Sequence, residues 1–351
     1  MRISILYNFR DTVWGGANQF LKALRNAFIE MGCYEDFPHK ADILIFISYP
    51  FGNEKAYNIV KKLKSNQNCI VVNRMNGPIS LYRDTDLEVD NINFHFNHYV
   101  ADGTIFQSEW SRQQCYNLGL KQNKYETVII NSVNKNIFYK SHQTSRSESH
   151  KKIKLIAVSW SDNIKKGFDI YSYLDTHLDF KKYSMTFVGN SPVEFKNITH
   201  ISPLPSDKLA DKFREHDILI YASQIETCSN TLLEALHCGL PAVARNNSSQ
   251  PQIVSNAGIL FEDTSDILSS IDTLAWNLEH YITNIQLHSI DQISREYYDF
   301  CSSIYSDLKS SKYQAKKWGT LTYADINCRI IHWKCLSRIK SMLKKCFGEN
   351  Q

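Results

Sequence analysis

Short runs dense in Ile, Val and Leu recur along the chain, and each is followed by a segment of helical spacing. In the first series the runs are RISILYNF (2–9), ADILIFISYP (41–50), CIVVNRMNGP (69–78), ADGTIFQS (101–108) and ETVIINSV (126–133). The segments between them include ANQFLKALRNAFIEMG (17–32), where Phe20, Leu21, Leu24, Phe28 and Met31 fall on one helical face and Gly32 supplies the stop. EKAYNIVKKLKSN (54–66) and EWSRQQCYNLGL (109–120) read the same way. A near-continuous apolar run is a strand buried on both faces, and strands alternating with helices predict a parallel sheet covered on both sides.

The pattern then restarts. KSHQTSRSESHKK (140–152) is polar and Ser-rich, a linker or exposed loop. After it come IKLIAVSW (153–160), KGFDIYSYLDTHL (166–178), YSMTFVGN (183–190), SDKLADKFREH (206–216), DILIYAS (217–223), SNTLLEALHCG (229–239), LPAVAR (240–245) and AGILFED (257–263). The expected organisation is an α/β domain over 1–140, a linker over 141–152, a second α/β domain over 153–295 and C-terminal helices over 296–351. A chain of 351 residues suffices for two cores.

Open α/β sheets bind ligands beyond the carboxyl ends of their strands. One such place is ETCSNTLLEALHCGLP (226–241), a loop and helix start after DILIYAS. Its free N–H groups, from about Ser229 through Asn230 and Thr231 to Leu232, form an anion site with the helix dipole. Glu226 and Glu234 flank that site. A carboxylate accepts two hydroxyl hydrogen bonds, which suits a sugar diol beside a bound phosphate. The plainer alternative is that both acids simply favour the positive end of a helix.

This stretch, with the following AVAR and AGILFED, resembles the E-x7-E region of the retaining, nucleotide-sugar-dependent glycosyltransferases of the GT-B fold. Other landmarks stand in the family's order: Gly15-Gly16 before the first helix, VIINSVNKNIF (128–138) closing the first domain, and Lys166-Gly167 after the first strand of the second. The resemblance runs to about residue 305 and is most specific over 220–262. It implies two Rossmann-like domains facing across a cleft. Glu226 would contact the donor sugar and Glu234 the ribose. Backbone N–H groups near Ser229, Asn230 and Thr231 would bind the diphosphate together with Lys166. Gly15 and Gly16 would let the first helix approach the phosphates, and the loop at Pro203-Leu204-Pro205 would seat the base. No metal and no cofactor are implied beyond the nucleotide sugar itself.

Two positions depart from the family pattern. An Arg commonly stands five residues before the lysine, where this chain has Ser161; a second phosphate cation is then left to Lys165 or Arg245, or is missing. A first-domain His near the reacting sugar corresponds best to Asn76, with Arg74 and Arg83 as neighbouring basic candidates. Glu226, Lys166 and Asn76 are the expected catalytic set. The activity implied is transfer of a sugar to a hydroxyl acceptor, a glycan or a lipid-linked one, with retention, in glycan or glycolipid biosynthesis. A non-catalytic sugar-nucleotide or glycan-binding protein and a nucleotide-sugar epimerase on the same fold remain alternatives. VWGGANQ is no G-x-G-x-x-G fingerprint, which disfavours a dehydrogenase.

The remaining signals are read as structural. Asp84-Thr85-Asp86 has no apolar strand before it and is expected to hold no metal. His95 and His98 are expected as partly buried structural residues and Trp110 as a packing residue. The nine cysteines show no CxxC and no zinc spacing, which suits reduced thiols. No run reaches the length of a spanning helix and the N-terminus has no cleavage-site pattern, so a cytoplasmic protein is expected. The net charge is +4, yet residues 326–351 hold six basic residues against one acid, leaving the rest at −1. Nucleic-acid binding is therefore not expected. Cys335, Leu336, Ile339, Met342, Leu343 and Cys346 share a helical face beside Lys334, Arg338, Lys344 and Lys345. Such a helix either lies on a membrane surface, peripheral to its cytoplasmic face, or packs on the body or a partner.

Overall fold

The computed structural model describes residues 1–10, 16–47, 54–66, 69–83, 85–141 and 152–347. Gly15, Asp84 and most of the expected linker lie outside them. The first domain contains β1 (Ile3–Leu6), α1 (Gly16–Glu30), β2 (Ile43–Ile47), α2 (Glu54–Asn66), β3 (Ile70–Arg74), α3 (Ser80–Arg83), α4 (Leu87–Tyr99), β4 (Gly103–Phe106), α5 (Glu109–Asn117) and β5 (Tyr125–Val128). These five strands lie side by side in chain order, all parallel. Alternation along β2 explains its unbroken apolar run. Ile43, Ile45 and Ile47 join the core on one face, and Leu44 and Phe46 join the core on the other.

The second domain contains β6 (Ile153–Ser159), α6 (Phe168–His177), β7 (Tyr183–Gly189), β8 (Thr199–Ile201), α7 (Ser206–Arg214), β9 (Ile218–Tyr221), α8 (Asn230–His237), β10 (Ala242–Arg245), α9 (Gln250–Val254), β11 (Gly258–Phe261), α10 (Ile267–Trp276) and α11 (Leu278–Thr283). Its parallel sheet runs β11-β10-β9-β6-β7-β8. Strand order reverses between β6 and β9, so the crevice beyond their carboxyl ends is the expected ligand position.

The chain then returns to the first domain. Helix α12 (Ile290–Lys309) starts at a Ser289–Gln292 capping box and packs its Ile293, Tyr297, Cys301 and Ile304 beside α1. The division expected at 295/296 falls inside this helix. Trp318 sits against Tyr57 and Phe96, and α13 (Thr320–Phe347) lays Ile326, Ile330 and Trp333 on the same face. Buried Asp102 fixes the approach: it pairs with Lys64 and accepts hydrogen bonds from the Val71 N–H (2.7 Å), the Tyr313 hydroxyl (2.8 Å) and the Lys316 N–H (2.8 Å). The tail helix is thus anchored by residues that precede the expected amphipathic stretch. Within that stretch Cys335, Leu336, Ile339 and Met342 are exposed. No helix among the described residues is long and apolar enough to cross a membrane.

Candidate functional site

A cleft of about 290 Å³ opens where the second sheet reverses its strand order. Val158 to Ser161 at the end of β6 and just beyond, Val188 and Gly189 at the end of β7, and Ser223 and Glu226 after β9 line it. Ser229, Asn230, Thr231 and Glu234 come from α8, Pro203, Leu204, Ser206 and Leu209 from the α7 side, and Gly16 and Gln19 from α1 of the other domain. That volume is near the lower end of ligand sites, about 300–1,000 Å³.

The sequence of each loop accounts for its shape. A short 3-10 turn, Ile164–Lys166, is capped by the Asn163 side chain, which accepts from the Lys165 N–H at 2.9 Å. Gly167 follows at φ +95°, and a Cβ there would meet Ala222 at 2.4 Å. Only glycine fits, and the tight corner delivers Lys166 to Glu226, with which it forms an ion pair. The Ser223 hydroxyl donates to Glu226 Oε1 at 3.0 Å, and the Glu226 N–H donates to Ser248 Oγ at 2.9 Å. Gln250 braces the same loop by donating to the Ser223 carbonyl at 2.6 Å.

Helix α8 presents fewer free amides than its sequence promises. Ser229 Oγ accepts from the Leu232 N–H at 3.2 Å, so the first turn is side-chain capped. Asn230 and Thr231 keep N–H groups without an intrahelical acceptor. The start of α1 meets this end directly: a Cβ built on Gly16 would stand 2.5 Å from Asn230 Nδ2. The space beside Gly16 is therefore filled by the Asn230 side chain. The cleft thus receives the N-termini of two helices, one from each domain.

Glu234 is 8% exposed, and desolvation raises its carboxyl from 4.5 to about 8. No hydrogen bond or ion pair holds it among the described residues. A buried acid left in this way costs free energy unless a ligand supplies hydroxyl donors.

The structure brings together Gly16, Ser161, Lys166, Pro203, Leu204, Glu226, Ser229, Asn230, Thr231 and Glu234. It does not bring Asn76 into the cleft wall. The Asn76 side-chain oxygen accepts from Arg74 Nη1 at 2.7 Å and from Gln107 Nε2 at 2.9 Å, below the end of β3. Arg74, a neighbouring basic candidate by sequence, is fully buried. Arg83 pairs with Asp86 at the surface, and Asp86 also accepts from Trp333 Nε1 at 3.1 Å. Arg245, one of the alternatives for a second phosphate cation, binds Asp169 at 2.6 Å and the Ala222 carbonyl at 3.0 Å and does not line the cleft. Lys165 donates across the domain gap to the Leu81 carbonyl at 3.0 Å. Lys166 is the one cation among the described residues lining the cleft. His95 pairs with Asp325 on α13, and Lys316 donates to the His98 carbonyl, so both histidines belong to the tail contact. Trp160, Gly189, Tyr221 and Gln19 were not singled out by sequence. Gly189 ends β7 and Trp160 follows β6, strands of one sheet, and that position is the signal that would have found them.

Two parallel sheets with flanking helices, a cleft between them and a chain end that crosses back to the first domain define the GT-B class of α/β fold. Residues 175–277 match the family model for Glycosyl transferases group 1. Sucrose-phosphate synthase of Thermosynechococcus elongatus superimposes with a TM-score of 0.66 at 12% identity, over 87% of this chain and 100% of that one. Anabaena HepE, solved with UDP-glucose, gives 0.66 at 12% identity, over 86% and 100%. In sequence the chain is 25% identical over 187 residues to an uncharacterized 41.2 kDa protein in the cps region of Klebsiella pneumoniae. That match covers 49% of this chain and 52% of the relative, about half the length of each.

Proposed function

We propose that the protein is a glycosyltransferase that moves a sugar from a nucleoside diphosphate sugar to a hydroxyl acceptor with retention of configuration. One observation carries the reading: a lysine, two helix N-termini and two acids converge on a single cleft at the strand-order reversal. The diphosphate lies between Lys166 and the Asn230 and Thr231 amides, which take up the charge that develops as it departs. Lys is a compact point cation suited to phosphate. Glu226, braced by Ser223 and Ser248, orients hydroxyls of the donor sugar. Glu234 accepts from the ribose diol, which repays its desolvation. Pro203 and Leu204 flank the base. HepE was solved with UDP-glucose, which supports a nucleotide-sugar donor. The cps-region relative supports a role in surface polysaccharide assembly.

Replacing Glu226 tests the reading. With donor and acceptor supplied, Glu226→Ala abolishes transfer while nucleoside diphosphate binding stays within a few-fold of wild type. Full transfer by that variant would sink the site assignment. A donor-only incubation that yields an epimerised donor would instead point to an epimerase.

The acceptor is a glycan or a lipid-linked one, met at an anionic membrane face. On α13 the exposed Leu336, Ile339 and Met342 run beside Lys334 and Arg338. Co-sedimentation with anionic but not neutral vesicles, lost on truncation after Trp333, is the expected result. Equal recovery with both vesicle types refutes it.

A further inference from the structure

Arg74 is buried at the carboxyl end of β3, its guanidinium 5.0 Å above the Phe20 ring. It donates to Tyr297 Oη at 3.2 Å, to Asn76 Oδ1 at 2.7 Å, to Gln107 Oε1 at 2.7 Å and to Asn131 Oδ1 at 2.7 Å. An amide side chain can usually sit either way round. A guanidinium has donors and no acceptor, so every amide facing it must present its oxygen.

That constraint propagates. With Oδ1 turned to Arg74, the buried Asn131 turns Nδ2 away from it, and this nitrogen donates to Asn230 Oδ1 at 3.0 Å and to Gln107 Oε1, itself held by Arg74, at 3.3 Å. Asn230 then turns its own nitrogen to the Gly16 side, where Nδ2 lies 2.5 Å from the position a Gly16 Cβ would take. Asn230 is the first residue of α8 and part of the cleft wall. A reversed Asn230 amide would turn its carbonyl oxygen toward the two helix starts and offset their attraction for an anion.

We propose that Arg74 is a positioning residue: through Asn131 it orients the Asn230 amide so that its N–H groups, not its oxygen, face the diphosphate between the two helix starts. The inference rests on the donor reading above and adds a residue of the first domain, remote from the cleft wall, that sets the polarity of a second-domain side chain.

Asn131→Asp tests it in the full chain. Aspartate still accepts from Arg74 but cannot donate to Asn230, which must then reverse. Binding of UDP, GDP and ADP is measured by titration calorimetry, with melting temperatures of the free proteins. Hydrogen bonds to a charged group convert to about tenfold to about a hundredfold in affinity. The expected result is that much weakening in Asn131→Asp for the diphosphate that wild type binds, with an unchanged melting temperature. Asn230→Ala, at a half-buried helix start, gives the same loss, and the double variant is no weaker than Asn230→Ala alone. Diphosphate affinity within twofold of wild type in either single variant, or additive losses in the double, overturns the proposal. Should Asn131→Asp fail to fold, Asn131→Leu, which removes the donor to Asn230 without adding a charge, decides by the same criterion. Absence of binding by wild type to all three diphosphates overturns the donor reading, and this inference falls with it.

Discussion

Replacing Glu234 by Gln should make the free protein more stable and the nucleotide weaker, and both effects have a defined pH dependence. The Glu234 carboxyl is raised from 4.5 to about 8 by desolvation. At about 1.4 kcal/mol for each tenfold change in proton concentration, that displacement is worth on the order of 5 kcal/mol. The open side of the cleft screens part of this, leaving about 2 kcal/mol as the working figure. The sign follows from proton counts. Below pH 4.5 both folded and unfolded chains hold the proton, and Glu234 contributes no pH dependence. Between 4.5 and about 8 the unfolded chain has released it while the folded chain has not, so stability falls as pH rises. Above about pH 8 the difference is constant. Glutamine keeps the shape and has no charge to desolvate. Melting curves of both proteins from pH 5 to 8.5 should therefore diverge, with the variant about 4–8 °C higher at the alkaline end, taking about 2–4 °C per kcal/mol for a domain of this size. Over the same range nucleoside diphosphate binding to wild type should strengthen with pH, since the ionised carboxylate accepts from both ribose hydroxyls, and the variant should show a flat, weaker profile. Parallel melting curves for the two proteins would refute the account of Glu234 as a buried acid held for a ligand.

The close approach of the two helix starts and the anchoring of the tail give two further outcomes. Gly16→Ala would ordinarily favour a helix by about 1 kcal/mol, but its Cβ would stand 2.5 Å from Asn230 Nδ2. The clash should dominate, costing about 1–3 kcal/mol of stability together with nucleotide affinity; a stabilised variant with unchanged affinity would contradict the contact. Asp102→Ala strands buried Lys64 and releases Tyr313 and Lys316. The expected loss is about 3–5 kcal/mol, read by urea unfolding, and a loss below about 1 kcal/mol would show that Asp102 does not anchor the tail.

Much of the fold was legible because its elements keep one period each. Strands such as β2 and β9 are apolar on both faces, and α1 and α2 carry clean helical spacing. Helix α4 was missed because its inner face mixes Val89, Ile92 and Phe96 with buried Asp90, Asn93 and Asn97. Asp90 serves the backbone, accepting from the Ile79 and Ser80 N–H groups, so polarity there marked an interior bond and not a surface. Strand β8 is three residues at a sheet edge, too short to show a period. In the cleft, residues within one motif were readable, since ETCSNTLLE places its groups by local geometry. Arg74 was not, because its burial depends on Gln107, Asn131 and Tyr297, up to 223 residues away. The placement of Arg245 was hidden for a related reason: Asp169, which holds it, comes from another helix start.

The cleft should bind the diphosphate of a nucleotide sugar through Lys166 and the start of α8. Titration of wild type and Lys166→Met with UDP, GDP, ADP and their glucose conjugates tests it most directly. Wild type should bind one diphosphate and its sugar conjugate, and Lys166→Met should bind both at least about tenfold more weakly while remaining folded. Equal affinity in the two proteins, or no binding by wild type to any of these ligands, would contradict it.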